Sequence, residues 1–174
     1  MRAAGVLVTI AAALALQTTF TRFLVRGTVA VDLVLVAVVY LALIGGPTVG
    51  VVAGTIGGLA QDALSSGILG MGGLAKTVIG FLTGVAGTHF IVGQAAARGI
   101  VFFAAGLAHS LVLAGMYALL GLRQIDLVFS RMAAQAGMSA VLGVVLFEIV
   151  EFLPGAMERR RAAGRGKLRV RPRI

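Results

Sequence analysis

The sequence has no cysteine and no tryptophan, only two tyrosines, and six acidic residues against fifteen basic ones. Without cysteine there is no disulfide, no thiol nucleophile and no cysteine-ligated metal. Charged residues are scarce altogether, at 12%, roughly half of what a soluble domain carries. Catalytic signatures are missing as well. No G-x-S-x-G surrounds Ser65 or Ser66, and there is no phosphate loop, Walker lysine or H-E-x-x-H. His109 and Ser110 are adjacent, so on a helix they do not face each other and form no nucleophile–base couple. A lone histidine also lacks the clustered ligands of a metal site. The expectation is therefore a protein with no catalytic residues, no cofactor and no metal.

What is present is apolar. Hydrophobic residues make up 59% of the 174, and the mean hydropathy is +1.05. Apolar stretches alternating with short polar breaks allow five or six spans of ~20 residues each and leave no room for a separate soluble domain of ordinary size. The expected fold class is all-α: a polytopic membrane helical bundle of about six transmembrane helices over residues 1–157, with a basic tail over 158–174. The formal charge of +9 does not signal nucleic acid, because eight of the fifteen basic residues lie after Met157 and none is interleaved with aromatics on a soluble surface. The tail is too polar to bury a core. Its Arg159, Arg160, Arg161, Arg165, Lys167 and Arg169 are candidates for binding anionic lipid or a partner, and its charge places the C-terminus on the cytoplasmic side. Six spans put Arg2 and Arg98 on that side too, but leave Arg22, Arg26 and Arg123 outside, so five spans stay open.

The first apolar segment, to Phe20, follows Arg2 and contains Ala13-Leu14-Ala15, a small-x-small cleavage pattern. Its hydrophobicity continues past that site, so a retained membrane helix is preferred to a signal peptide. The second span, Asp32 to Ile44, is apolar on all faces, which suggests lipid contact, with Asp32 capping its start. Gly45-Gly46-Pro47 reads as a tight turn into a third helix that ends near Gln61 and Asp62. Residues 63–67 read as a break and 68–73 as a possible re-entrant stretch. A fourth span then runs from about Met71 to Val92. A polar link, Gly93 to Arg98, leads to a fifth span, about Gly99 to Leu120, and a sixth covers about Met132 to Leu153 before Pro154.

The third and fourth segments organise the rest. Glycine recurs every fourth residue at Gly46, Gly50, Gly54 and Gly58, and the stripe ends at Asp62; a second stripe runs through Gly72, Lys76, Gly80 and Gly84. Residues four apart stack on one helix face, so each segment has a nearly bare side. Such sides cost stability in water but permit close backbone approach in lipid. A tightly packed helical pair is expected, and the glycines are candidates for helix packing and for a partner interface.

Intramembrane charge is costly and marks candidate functional residues: here Asp62, Lys76, Glu148 and Glu151. Asp62 is the expected partner of Lys76, fixing the register of two helices or binding an anionic ligand. Glu148 and Glu151 share a face at i,i+3 and are expected to be neutralised by Arg159 to Arg161. His109 is expected to hydrogen-bond across helices.

The run Asp32-Leu33-Val34-Leu35, then Gly50…Gly54…Gly58-Leu59-x-x-Asp62-x-Leu64-Ser65, then Leu69-Gly70 and Gly73-Leu74, resembles the rod shape-determining membrane protein MreD family. The resemblance covers roughly Val31 to Gly84. Two features depart from it: Val31 stands where the family often has proline, and the long basic tail is not a family hallmark. It implies a non-catalytic scaffold of the bacterial cell-elongation and lateral peptidoglycan-synthesis machinery, multi-pass in the cytoplasmic membrane. The implied partners are MreC and, through it, MreB, RodA and a penicillin-binding transpeptidase. It also implies a fold similar to the substrate-binding subunits of energy-coupling-factor vitamin transporters. That likeness supplies an alternative function, vitamin uptake, to which Ala11 and Ala15 in an A-x-x-x-A spacing would lend a docking motif. With Tyr40 and Tyr117 as its only tyrosines and no tryptophan, the chain offers little to line a vitamin pocket.

Overall fold

Lipid leaves backbone polar groups no partner but each other, so apolar runs of this length become helices. The computed structural model describes residues 3–24, 31–65, 68–89, 95–121 and 133–149, and the regular structure among them is helical throughout. The elements are α1 (Ala3–Leu24), α2 (Leu33–Leu64), α3 (Met71–His89), α4 (Ala95–Leu119) and α5 (Ala133–Ile149). By length and composition α2 and α4 can each cross a bilayer, while α1 and α5 contribute shorter apolar runs. The molecule is consistent with a helical membrane protein.

Helix α2 is not a straight rod. Gly46 has φ 80° and ψ −175°, a conformation open to glycine and costly for any other residue. Pro47, which has no N–H to lose, starts the next turn. A Cβ on Gly57 would touch Val34, although in a continuous helix those residues would stand about 35 Å apart. The chain therefore doubles back at Gly46 into two antiparallel limbs, 33–45 and 47–64. Asp32 caps the first limb: its backbone is extended, and its Oδ1 accepts from the Leu35 N–H at 2.9 Å. That leaves Oδ2 free for other work.

The first limb is the centre of the molecule. Val34, Val36, Val38, Val39 and Leu41 are all essentially inaccessible. One side packs against Val6 and Ile10 of α1 and Ala53 of the second limb. The other meets Ile79 of α3, Phe102 and Ala105 of α4, and Phe147 of α5. The expectation of lipid contact for this segment is thus corrected. A helix apolar on every face faces either lipid or other helices on all sides, and here protein surrounds it.

Contacts along the axes fix the direction of each helix. Gln17 Oε1 accepts from the Val34 N–H at 3.1 Å, and Ala3 lies by Thr48, so α1 runs opposite to the first limb. A Cβ on Gly84 would strike Pro47, and one on Gly87 would strike Leu43, so α3 runs back toward the turn at Gly46. Arg98 pairs with Glu148 while Gly106 lies on Ala136, making α4 and α5 antiparallel. One end of the bundle gathers Asp32, Asp62 and the start of α3; the other holds the Gly46 turn.

Two boundaries differ from expectation. Residues 68–70 form a turn, with Gly70 at φ 96°, and α3 starts directly at Met71, so there is no re-entrant stretch. Helix α4 begins at Ala95 rather than Gly99, which moves Arg98 from a link into the helix. The end of the expected fourth span, 90–92, lies outside the described residues.

Candidate functional site

The two glycine stripes face each other. A Cβ on Gly50 would collide with the carbonyl of Gly80, and one on Gly80 with the carbonyl of Gly50. Gly54 lies on the backbone of Lys76, Gly58 on Gly73, and Gly84 on Pro47. At these points backbone meets backbone, which no side chain larger than hydrogen allows. The Thr55 and Thr77 hydroxyls, 2.9 Å apart, add a hydrogen bond across the same seam. Of the candidate glycines, Gly50, Gly54, Gly58, Gly80 and Gly84 are consumed in this contact, and Gly46 serves the turn. Within the chain, each of these glycine faces is occupied by the other stripe.

Placing Gly54 against Lys76 turns the lysine side chain inward. Its ammonium lies 2.7 Å from Asp32 Oδ2, with both side chains buried. The expected pairing with Asp62 is corrected. Asp62 instead folds over the start of α3, its Oδ2 accepting from the N–H groups of Gly70 at 2.9 Å and Gly73 at 3.0 Å. Both are donors that the first turn of a helix leaves unpaired. A carboxylate at a helix N-terminus is stabilised by the aligned peptide dipoles, so Asp62 is satisfied without a lysine.

The third member of the cluster is His109 of α4. Its Nε2 is 3.7 Å from Asp32 Oδ2, too long for the hydrogen bond across helices expected for it. Its Nδ1 is buried without a partner, as is Gln61 Oε1. Asp32 thus stands between a lysine from α3 and a histidine from α4. Sequence reasoning had assigned Asp32 to capping alone; a carboxylate has two oxygens, and only one is needed for the cap.

At the other end of the bundle Arg98 reaches Glu148 Oε1 at 3.0 Å and lies over the Phe147 ring, 4.0 Å from its centroid. Phe147 in turn meets Tyr40 edge-on, with centroids 5.1 Å apart. The arginine is buried while Glu148 is half exposed. Arg98 thus pairs with Glu148, for which the tail arginines were the expected partners. Glu151, Arg159, Arg160, Arg161, Arg165, Lys167 and Arg169 lie outside the described residues.

Among the described residues no group of three or more histidine and acidic side chains could hold a metal ion. A cavity of about 260 Å³ opens between α1 and the second limb, lined by Ala3, Val6, Leu7, Thr48, Val49, Val52 and Ile56. It is apolar but for one threonine, whereas a vitamin site needs convergent polar and aromatic groups. Ala11 and Ala15 lie on an exposed side of α1.

These features are consistent with a class: a helical membrane protein whose described charged residues hold its own helices together. The particular family follows from comparison with known proteins. A family profile described as rod shape-determining protein MreD matches residues 2–154, and the chain belongs to that family. Searches of curated proteins and of solved structures return no significant match.

Proposed function

We propose that the chain is a non-catalytic membrane scaffold of the bacterial cell-elongation machinery. It would cross the cytoplasmic membrane six times and hold MreC and, through it, MreB, RodA and a penicillin-binding transpeptidase. The observation that carries this reading is the family match, taken with the use of Asp32, Lys76 and the glycines of the α2–α3 seam in internal contacts. The reversal at Gly46 turns α2 into two antiparallel limbs, which with α1, α3, α4 and α5 make six helical segments, the number the six-span reading needs. On this topology the N-terminus and the basic tail share the cytoplasmic face. The tail's six candidate basic residues then meet anionic headgroups, at about 1 kcal/mol per residue near the surface.

The glycines act on a partner indirectly: by fixing the α2–α3 pair they set the shape of the outer surface that a partner helix meets. Affinity purification of the tagged full chain from native membranes, followed by mass spectrometry, tests the reading. Enrichment of the elongation proteins is the expected result. Recovery of a transporter ATPase module in their place would replace scaffolding with vitamin uptake. Deleting residues 159–174 should lower recovery on anionic vesicles; unchanged binding would remove the tail's lipid role.

A further inference from the structure

Two close ion pairs among the described residues each join neighbouring helices. Asp32 and Lys76 join α2 to α3 and neutralise each other at 2.7 Å. Arg98 and Glu148 join α4 to α5 at 3.0 Å, with Phe147 of α5 beneath the guanidinium. Backbone packing divides along the same line. Gly50, Gly54, Gly58, Gly80 and Gly84 bind α2 to α3, while Gly106 sits on Ala136 and Gly143 on Phe102 to bind α4 to α5. Between these groups of helices the packing is largely apolar, and Tyr40 of the first limb meets Phe147 of α5 edge-on. Phe102, Ala105 and Phe147 face Leu35, Val36, Val39 and Ile79, and no glycine of α4 or α5 lies against the backbone of α2 or α3 among the described residues.

Among the described residues, His109 and Asp32 make a charged contact across this line, and it is incomplete. The carboxylate is already taken by Lys76, Nε2 stays at 3.7 Å, and Nδ1 is enclosed with no partner. Seated against the core, α4 therefore keeps a polar atom away from both water and protein, which opposes the apolar contact. Moving α4 away would strand neither ion pair, because both partners of each travel together.

We propose that the molecule is built as two bodies, α1–α3 and α4–α5, that shift against each other along this apolar boundary, with His109 setting the balance between a seated and a displaced arrangement. Interfaces with two discrete packings are how small local changes become helix displacements. The side of Asp32 and Lys76 that His109 faces is a buried ion pair in the seated form and an accessible one in the displaced form. The proposal does not rest on the scaffold reading, since it concerns motion within one chain.

The absence of cysteine allows paired spin labels to be placed on the full chain in nanodiscs without background. One pair within the first body, at Ile56 and Phe81, and one within the second, at Leu111 and Val141, should each give a single narrow distance. A pair across the boundary, at Leu74 and Leu111, should give two components. His109→Phe, which removes the unpaired nitrogen, should collapse the cross-boundary distribution to the seated component and leave both internal distances unchanged. His109→Leu should do the same and guards against a failure peculiar to phenylalanine. A single narrow cross-boundary distance in the unmodified protein would overturn the proposal. So would two components that both substitutions leave in the same proportion, or internal distances that broaden together with the cross-boundary one.

Discussion

The α2–α3 seam and the α4–α5 pair solve the same problem by different means. In the seam, helices touch through glycine backbones: Gly50 on Gly80, Gly54 on Lys76 and Gly58 on Gly73. In α4–α5 the contact runs mainly through side chains, with Phe102 filling the space over Gly143 and Arg98 lying on Phe147. Gly115 and Gly137, in α4 and α5, have open space where a Cβ would go. The first arrangement leaves no tolerance for added volume; the second does. Glycine content alone says little, and what matters is what stands opposite each one.

The comparison can be broken most severely at Gly54. Gly54→Leu should prevent the two helices from closing, at a cost at or above the roughly 3 kcal/mol upper range of overpacking, and leave little monodisperse protein by size-exclusion chromatography in detergent. Asp32→Asn comes next. Asparagine keeps the cap but leaves Lys76 buried and unpaired, which should cost about 3–5 kcal/mol in thermal unfolding followed by circular dichroism. Adding Lys76→Met should recover most of that loss, because it removes the stranded charge.

Smaller effects belong to the second pair. Arg98→Ala should cost about 2 kcal/mol through loss of the desolvated contact with Phe147, and Glu148→Gln under about 1 kcal/mol, since Glu148 is half exposed. Equal losses in melting temperature for the two would mean that the ion pair, not the ring contact, holds α5. The smallest change is a gain: Gly115→Ala should raise stability by about 0.5–1 kcal/mol, against the collapse at Gly54.

Much of the framework was legible in the sequence. The cap at Asp32 and the turn at Gly45-Gly46-Pro47 follow from local rules, since only local backbone geometry decides them. The pairing of Lys76 did not follow. Asp62 is the nearer acid in sequence, but the turn at 68–70 brings its carboxylate onto the N–H groups of Gly70 and Gly73, and Lys76 takes a carboxylate two helical segments away. The burial of 33–45 was also hidden, because an enclosed helix and a lipid-facing one have the same composition. Arg98 was misplaced by its polar neighbours: Gly93 and Gln94 suggested a link, whereas α4 starts at Ala95.

The limb of residues 33–45 is only about 20 Å long, well short of the ~30 Å hydrocarbon thickness. On the periphery, such a stub would force the surrounding lipid to thin or the helix to sink. Encircled by its neighbours, it is released from matching the bilayer at all. The carboxylate at its foot can therefore sit below the headgroups, at a depth where only a protein cation is available to meet it.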